Sequence, residues 1–277
     1  ENDIEEISNI IHAVDGLMYM DGANLNALLG IVKPFDMGFD ITHINLHKTF
    51  STPHGGGGPG SGPVGVSERL IDFLPTPIVT IVEKGNKQDP PLYGFATPKH
   101  TIGRMKAFNG QFGVLVRAYT YIRVHGAVGL RSNSEHAVLN ANYLLSKVQD
   151  VYHLPYKRVC LHEFVVEGRW HDAPDIHALD ISKRLMDFGF HPPTNYFPLI
   201  VHEALMIEPT ETESRETLDK FADALLQIAN EARDEPELLL TAPHITPSAR
   251  MDEVQAARQL VLCCRPSYLS DPQYVNK

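Results

Sequence analysis

A lysine that leads into a glycine-rich loop is the feature of this sequence best suited to chemistry. Lys48 lies beside His47 and Asn45, and the glycine loop, residues 55–60, follows shortly after it. Lysine amines form Schiff bases with carbonyl compounds, and a loop with almost no side chains lets a ligand approach the backbone closely. The pattern predicts a pocket for a phosphate-bearing cofactor that Lys48 holds covalently; a surface lysine is the alternative interpretation.

A second candidate, Asp21, follows a short apolar run at residues 17–20. Such a run is typical of a buried parallel strand, and the carboxyl ends of parallel strands are where open α/β sheets bind ligands. The pair Asp21-Gly22 is also a common turn signal. From these residues alone, both interpretations of Asp21 stay open.

The elements that would position these residues alternate between helix and strand, which predicts an α/β fold with a mixed or parallel sheet and a smaller α+β domain after it. We place the domains at residues 1–147 and 148–245, followed by a tail at 246–277 with one short helix. Expected helices cover residues 4–13, 26–32, 110–148 (with a break at 125–131), 176–188, 214–232 and 253–262; expected strands cover 17–20, 38–44, 62–66, 159–166 and 204–207; an exposed excursion is expected at 75–91.

Composition narrows the classes of function. The chain has 277 residues, 43% of them hydrophobic, and a formal net charge of −10. This charge argues against a nucleic-acid partner, because binding to a phosphate backbone needs a basic surface. No apolar run approaches the length of about 20 residues that crosses a bilayer, and the acidic start resembles no targeting segment, so no membrane partner is expected. Cys160, Cys263 and Cys264 do not form a disulfide framework, which favours a reducing compartment.

Two other kinds of site are disfavoured by residue spacing. The chain has 14 histidines, but none shows the spacing of a zincin or a zinc finger, so no metal site is expected. The glycine loop lacks the Gly-Lys-Ser/Thr ending of a nucleotide-binding P-loop. A buried, hydrogen-bonded core histidine is the competing interpretation of His47.

Four segments together resemble one enzyme family. They read YMDGANLNA at 19–27, NLHKTF at 45–50, PHGGGGPG at 53–60 and LMIEPTE at 205–211. They look like the C-terminal half of glycine decarboxylase, the P-protein of the glycine cleavage system, and the similarity runs across essentially the whole chain. The resemblance implies a fold-type I, partial PLP-transferase fold, in which an incomplete aspartate aminotransferase-like large domain with interdomain helices precedes the small α+β domain.

The resemblance also implies roles for individual residues. Lys48 would form the Schiff base with pyridoxal 5′-phosphate (PLP), and Asp21 would pair with the protonated pyridine nitrogen, so that the ring acts as an electron sink. Ala23 would lie against the ring face. Asn45 and His47 would contact the phosphate, and the glycine loop would line the mouth of the pocket.

The reaction implied by the resemblance is the decarboxylation of glycine, with transfer of the aminomethyl group to the lipoyl group of the H-protein. Lipoylated H-protein is therefore an expected partner, and a homodimer or a heterotetramer an expected assembly. The expected location is cytoplasmic in a prokaryote and mitochondrial in a eukaryote.

The sequence departs from the family pattern before Asp21, where a complete PLP-binding large domain carries a further stretch. The chain is therefore expected to be a truncated or split piece that needs its N-terminal half or a companion subunit, and to be inactive in isolation. Two alternatives remain. One is an inactive binding or assembly fragment, and the other is a different PLP-dependent amino-acid decarboxylase or aminotransferase.

Overall fold

The computed structural model describes residues 2–56, 60–105 and 107–260. Contacts divide the chain into two compact units. Unit 1 comprises residues 1–144, 158–164 and 208–215, and unit 2 comprises residues 145–157, 165–207 and 216–277. None of the helices in the described ranges is long and apolar enough to span a bilayer.

A three-stranded mixed sheet organises unit 1. Strand β1 (Tyr19–Gly22) runs parallel to β2 (Ile41–Ile44), and β2 is antiparallel to β3 (Val64–Val66). The sheet type is as expected, but β1 begins at Tyr19 rather than at residue 17, and the expectation that it is buried was wrong. Tyr19 is 55% exposed because β1 is an edge strand in the described sheet.

The buried carboxylate of Asp40 connects the segments that directly precede the two parallel strands. It accepts hydrogen bonds from the Met18 backbone N–H at 2.9 Å and from Ser67 Oγ at 3.2 Å, and lies 2.8 Å from Nε2 of His12. His12 ends helix α1 (Ile4–His12). Burial raises the pKa of Asp40, but these contacts outweigh it and hold the pKa below the usual value. Asp40 thereby joins α1 to the sheet.

Two segments of unit 1 differ from expectation. Residues 26–31 form hydrogen-bonded turns rather than a helix, and Gly30 ends them in a left-handed conformation with φ of 74°. The expected excursion at 75–91 is largely exposed, yet it contributes to an antiparallel ribbon of β4 (Ile78–Glu83) and β5 (Leu92–Ala96). The β-branched residues of β4 favour a strand, and the flanking prolines obscured that signal.

The rest of unit 1 includes most of one interrupted helix, whose last residues, 145–148, are assigned to unit 2. Helix α3 (Phe112–Val148) has non-helical backbone angles at Gly126, which confirms the break expected at residues 125–131. The remaining short elements are α2 (Leu46–Thr49), which is a single turn, and 3-10 helices at Pro34–Met37 and Glu68–Phe73.

Unit 2 combines a small sheet with helices. Its strands are β6 (Phe164–Glu167), β7 (Thr194–Asn195) and β8 (Ala204–Ile207), and its helices are α4 (Ala178–Asp187), α5 (Arg215–Asp234), α6 (Glu237–Leu240) and α7 (Glu253–Arg258). The strand order is β6-β8-β7, and β7 is antiparallel to β8. The end of the helix expected at 253–262 lies outside the described residues, as do Cys263 and Cys264.

A buried ion-pair cluster joins α4 to α5. Arg184 donates to Glu231 at 2.8 Å and to Asp187 at 3.0 Å. The Asp187 side chain is 4% exposed and also accepts from the backbone N–H groups of His244 and Ile245. Burial raises the pKa of Asp187, but these hydrogen bonds and Arg184 hold the pKa below its usual value.

Candidate active site

The single turn of α2 presents His47 and Lys48 away from the core. Leu46, Thr49 and Phe50 are buried, and their spacing places them on one face of the turn. Leu46 and Phe50 join a hydrophobic cluster with residues of α3. Lys48 is exposed and His47 is half-buried on the remaining face. Packing of the apolar positions therefore determines where the amine of Lys48 stands.

The carboxyl ends of β1 and β2 bring further candidates to the same edge of the sheet. Gly22 is the parallel partner of Ile44, so Ala23 and Asn45 leave the sheet side by side. Asn45 is also the residue that precedes α2. Asp21, Ala23, Asn45 and the turn that carries Lys48 thus belong to one end of the sheet.

Asp21 both forms a turn and presents a carboxylate. Its Oδ1 accepts the backbone N–H of Ala23 at 3.0 Å, the geometry of an Asx turn. The same oxygen lies 3.2 Å from Nε2 of His43, the partner of Asp21 across the parallel pair. The Asp21 side chain is 74% exposed. The turn interpretation therefore describes its local geometry, and the carboxylate is still accessible to a ligand.

A hydrogen-bond chain that sequence patterns did not indicate fixes α2. Thr49 Oγ1 accepts the backbone N–H of Leu25 at 3.0 Å and donates to Oδ1 of Asn26 at 2.9 Å. The amide of Asn26 donates to Oε1 of Glu208 at 2.9 Å. Burial raises the pKa of Glu208, and the nearby Glu163 adds to this rise. Glu208 lies in one of the four family-like segments, which was the one available sequence signal for it.

A cavity of about 610 Å³ opens beside α2 within unit 1. His47 and Lys48 line it, whereas Asp21, Ala23 and Asn45 do not. Its other polar lining residues include Asn26, Thr49, Ser51, Thr52, Arg117, Tyr121, His125, Asn133, Ser134, Thr210, Glu211 and Thr212. The cavity therefore combines cations, an acid and hydroxyl groups.

Tyr121 is a titratable group of this cavity that sequence patterns missed. Its hydroxyl accepts a hydrogen bond from Nδ2 of Asn133 at 2.8 Å. Burial raises the pKa of Tyr121, and the charge of Glu211 raises it further. Arg117 is the arginine in the lining.

The residues at this site fit a phosphorylated aldehyde. Nδ1 of His47 and Oγ1 of Thr52 are buried and have no hydrogen-bond partner among the described residues. An anionic phosphate would satisfy such donors, and the exposed amine of Lys48 suits an aldehyde. Part of the glycine loop, residues 57–59, lies outside the described residues, whereas Gly55 and Gly56 both have positive φ values.

Comparison with known sequences identifies the family. A profile described as the glycine dehydrogenase C-terminal domain matches residues 133–241. A probable glycine dehydrogenase (decarboxylating) subunit 2 from Chlorobaculum tepidum is 58% identical over 267 residues, which are 96% of this chain and 54% of the relative. The chain belongs to the glycine dehydrogenase family. It spans about half the length of the family members that it matches.

Solved structures share the fold of this glycine dehydrogenase family member. A glycine decarboxylase (P-protein) of the glycine cleavage system, in inhibitor-bound form, is 18% identical with a TM-score of 0.66, over 82% of this chain and 51% of that chain. A serine palmitoyltransferase from S. paucimobilis with bound PLP-myriocin is 12% identical with a TM-score of 0.56, over 83% of this chain and 51% of that one. The expected α/β class and partial PLP-transferase fold are confirmed.

Proposed function

We propose that this chain carries the cofactor-binding lysine of a PLP-dependent glycine dehydrogenase. The enzyme decarboxylates glycine and transfers the aminomethyl group to the lipoyl group of H-protein. The observation that carries the proposal is the position of Lys48. It is exposed on a turn at the same end of the sheet as Asp21 of β1. The relatives named glycine dehydrogenase (decarboxylating) support the choice of substrate.

The residues at this end of the sheet would each contact a different part of the cofactor. When bound, PLP supplies an electron sink for the electron pair that decarboxylation leaves on the substrate carbon. Nζ of Lys48 would hold the aldehyde, and the carboxylate of Asp21 would keep a proton on the ring nitrogen. Ala23 would leave room for the ring, while Asn45 and His47 would donate to the phosphate.

The protonation state of His47 suits a hydrogen-bond donor that is not charged. Burial lowers the pKa of His47, and electrostatic interactions with the neighbouring His54 and Lys48 lower it further. Near neutral pH the ring is therefore neutral and keeps a single N–H. A neutral His47 would donate this N–H to the phosphate without adding a positive charge.

The whole enzyme would include more than this chain. We propose that its N-terminal half, or a companion subunit, completes the site, in a homodimer or a heterotetramer that also engages lipoylated H-protein. The name "subunit 2" of the relatives supports a companion. A cytoplasmic location is proposed because these relatives are bacterial.

Borohydride trapping tests the assignment of Lys48. The chain, mixed with the N-terminal half of the enzyme and PLP, is reduced, digested and analysed by mass spectrometry. We expect the peptide that contains Lys48 to gain the mass of a reduced pyridoxyl phosphate group, and Lys48→Ala to lose both this adduct and the visible absorbance of the bound cofactor.

The matched control is Lys33→Ala, since Lys33 is another exposed lysine of unit 1, with 82% of its side chain accessible. It should label at Lys48 as the wild type does. Labelling spread equally over surface lysines would refute the assignment. Labelling at Lys48 without glycine-dependent exchange of carbon dioxide would favour an assembly fragment, and release of a free amine without H-protein would favour another PLP enzyme.

A further inference from the structure

We propose that His162, Glu163 and Glu208 form a binding site for one divalent cation of the zinc class. All three residues belong to unit 1. The proposed roles of Lys48 and Asp21 use none of them, and none lines the cavity beside α2. Glu208 is linked to α2 through Asn26, so the proposed ion site would adjoin the cofactor site without sharing its lining residues.

The three side chains lie close enough together for one metal ion to contact all of them. Nε2 of His162 lies 3.8 Å from a carboxylate oxygen of Glu163 and 3.8 Å from one of Glu208. One ligand atom from each residue lies within 4.8 Å of the others. Two ligands at about 2.1 Å from a tetrahedral ion stand roughly 3.4 Å apart. Each of the two His162 distances would therefore shorten by about 0.4 Å, and the two carboxylates would approach each other by up to about 1.4 Å.

The burial of His162 and its lack of hydrogen-bond partners are the observation that indicates a ligand. Its side chain is only 10% exposed, and neither ring nitrogen has a hydrogen-bond partner within the described part of the chain. A buried polar group without a partner destabilises the folded state. Nε2 is directed toward two carboxylates at a separation longer than a hydrogen bond, and an ion between them would satisfy the nitrogen.

Neighbouring amides would orient the carboxylate of Glu208. Nδ2 of Asn26 donates to its Oε1 at 2.9 Å, and Asn24 also hydrogen-bonds this carboxylate. Hydrogen bonds to ligating carboxylates are a regular part of metal sites. Oδ1 of Asn24 is buried and has no hydrogen-bond partner among the described residues.

The donor set indicates which cation would bind. One imidazole nitrogen with two carboxylates suits zinc-class ions, whereas magnesium and calcium prefer oxygen ligands alone. Spacing rules could not indicate this site, because Glu208 is distant in sequence from His162 and Glu163.

Calorimetric titration of the chelator-treated 277-residue chain with Zn²⁺ tests the proposal. We expect one site per chain with micromolar or tighter affinity, and at least a tenfold loss of affinity in each of Glu163→Gln, Glu208→Gln and His162→Gln. The control is Glu216→Gln, which removes an exposed carboxylate that pairs with Lys220 and should leave the affinity unchanged. An equal concentration of Mg²⁺ should not compete.

Binding that is absent in the wild type, or equal in the wild type and all three site variants, would overturn the proposal, since surface histidines would then explain any zinc uptake. The glutamine substitutions keep side-chain volume close to that of the original residues, and circular dichroism checks their folding. If these variants fail to fold, X-ray absorption of zinc-loaded wild type still decides: one imidazole with oxygen ligands is expected, and two or more imidazoles would contradict the site.

Discussion

Asp21 is followed by glycine because the neighbouring strand leaves no room for a side chain. A Cβ atom at position 22 would collide with the carbonyl oxygen of His43 and stand 2.7 Å from Oγ1 of Thr42. The close approach of β1 and β2 sets the position of both Asp21 and the residues that follow it. Gly22 is thus a steric requirement of the proposed cofactor site.

We expect Gly22→Ala to lower the free energy of unfolding by about 1–3 kcal/mol, because overpacking forces the two strands apart. It should also reduce borohydride labelling of Lys48, since β2 leads directly into α2. Urea unfolding and mass spectrometry measure the two effects. Gly65→Ala is the control, because a Cβ there meets its nearest atom at an ordinary 3.5 Å; equal effects of both substitutions would contradict the argument.

Helices α4 and α5 are held together by charge as well as by apolar packing. The Arg184 and Glu231 side chains are 15% and 11% exposed, so this pair is largely removed from water. Buried ion pairs are strongly destabilised when one partner is lost, because the other charge stays uncompensated. The cluster around Asp187 should therefore make the stability of unit 2 depend on pH.

We expect the free energy of unfolding to fall as the pH drops from about 5 to about 3. The folded-state pKa of Asp187 is below its unfolded value of about 3.9, so its contribution is present above that value and is lost as the pH falls through the folded pKa. Asp187→Asn should weaken this pH dependence. Urea unfolding at several pH values measures it.

The control for this pH experiment is Asp150→Asn, which changes an exposed carboxylate outside the cluster. Its unfolding curves should follow those of the wild type across the whole range. An unchanged pH dependence in Asp187→Asn would show that other carboxylates dominate the acid response.

The chain spans about half the length of its relatives and exposes apolar surface. The β4–β5 ribbon has several exposed large apolar side chains: Val79, Ile81, Val82, Leu92, Tyr93 and Phe95. Exposed apolar patches commonly mark contact surfaces. The exposed apolar surface of this ribbon is consistent with the proposed companion subunit. The domain boundaries at residues 147 and 245 stay a prediction.

We expect the isolated chain to bind PLP weakly, and addition of the N-terminal half of the enzyme to tighten binding at least tenfold. The physical reason is that the N-terminal half would add contacts to the bound cofactor, and a partner that binds the cofactor-loaded chain preferentially raises its affinity for the cofactor. Equilibrium titration followed by absorbance measures both affinities. Submicromolar affinity of the chain alone would mean that its pocket is already complete.

Local periodicity and short motifs predicted several features from the residues alone. The helical spacing around α5 and the apolar run of β8 predicted both elements closely, and four short segments in combination indicated the family. Contacts between distant side chains, such as Asn26 with Glu208 or His162 with Glu208, are seen only in the folded chain. The fold also shows that residues 26–31 form turns. Local patterns report the environment of one segment, whereas contacts between remote segments arise only when the whole chain packs.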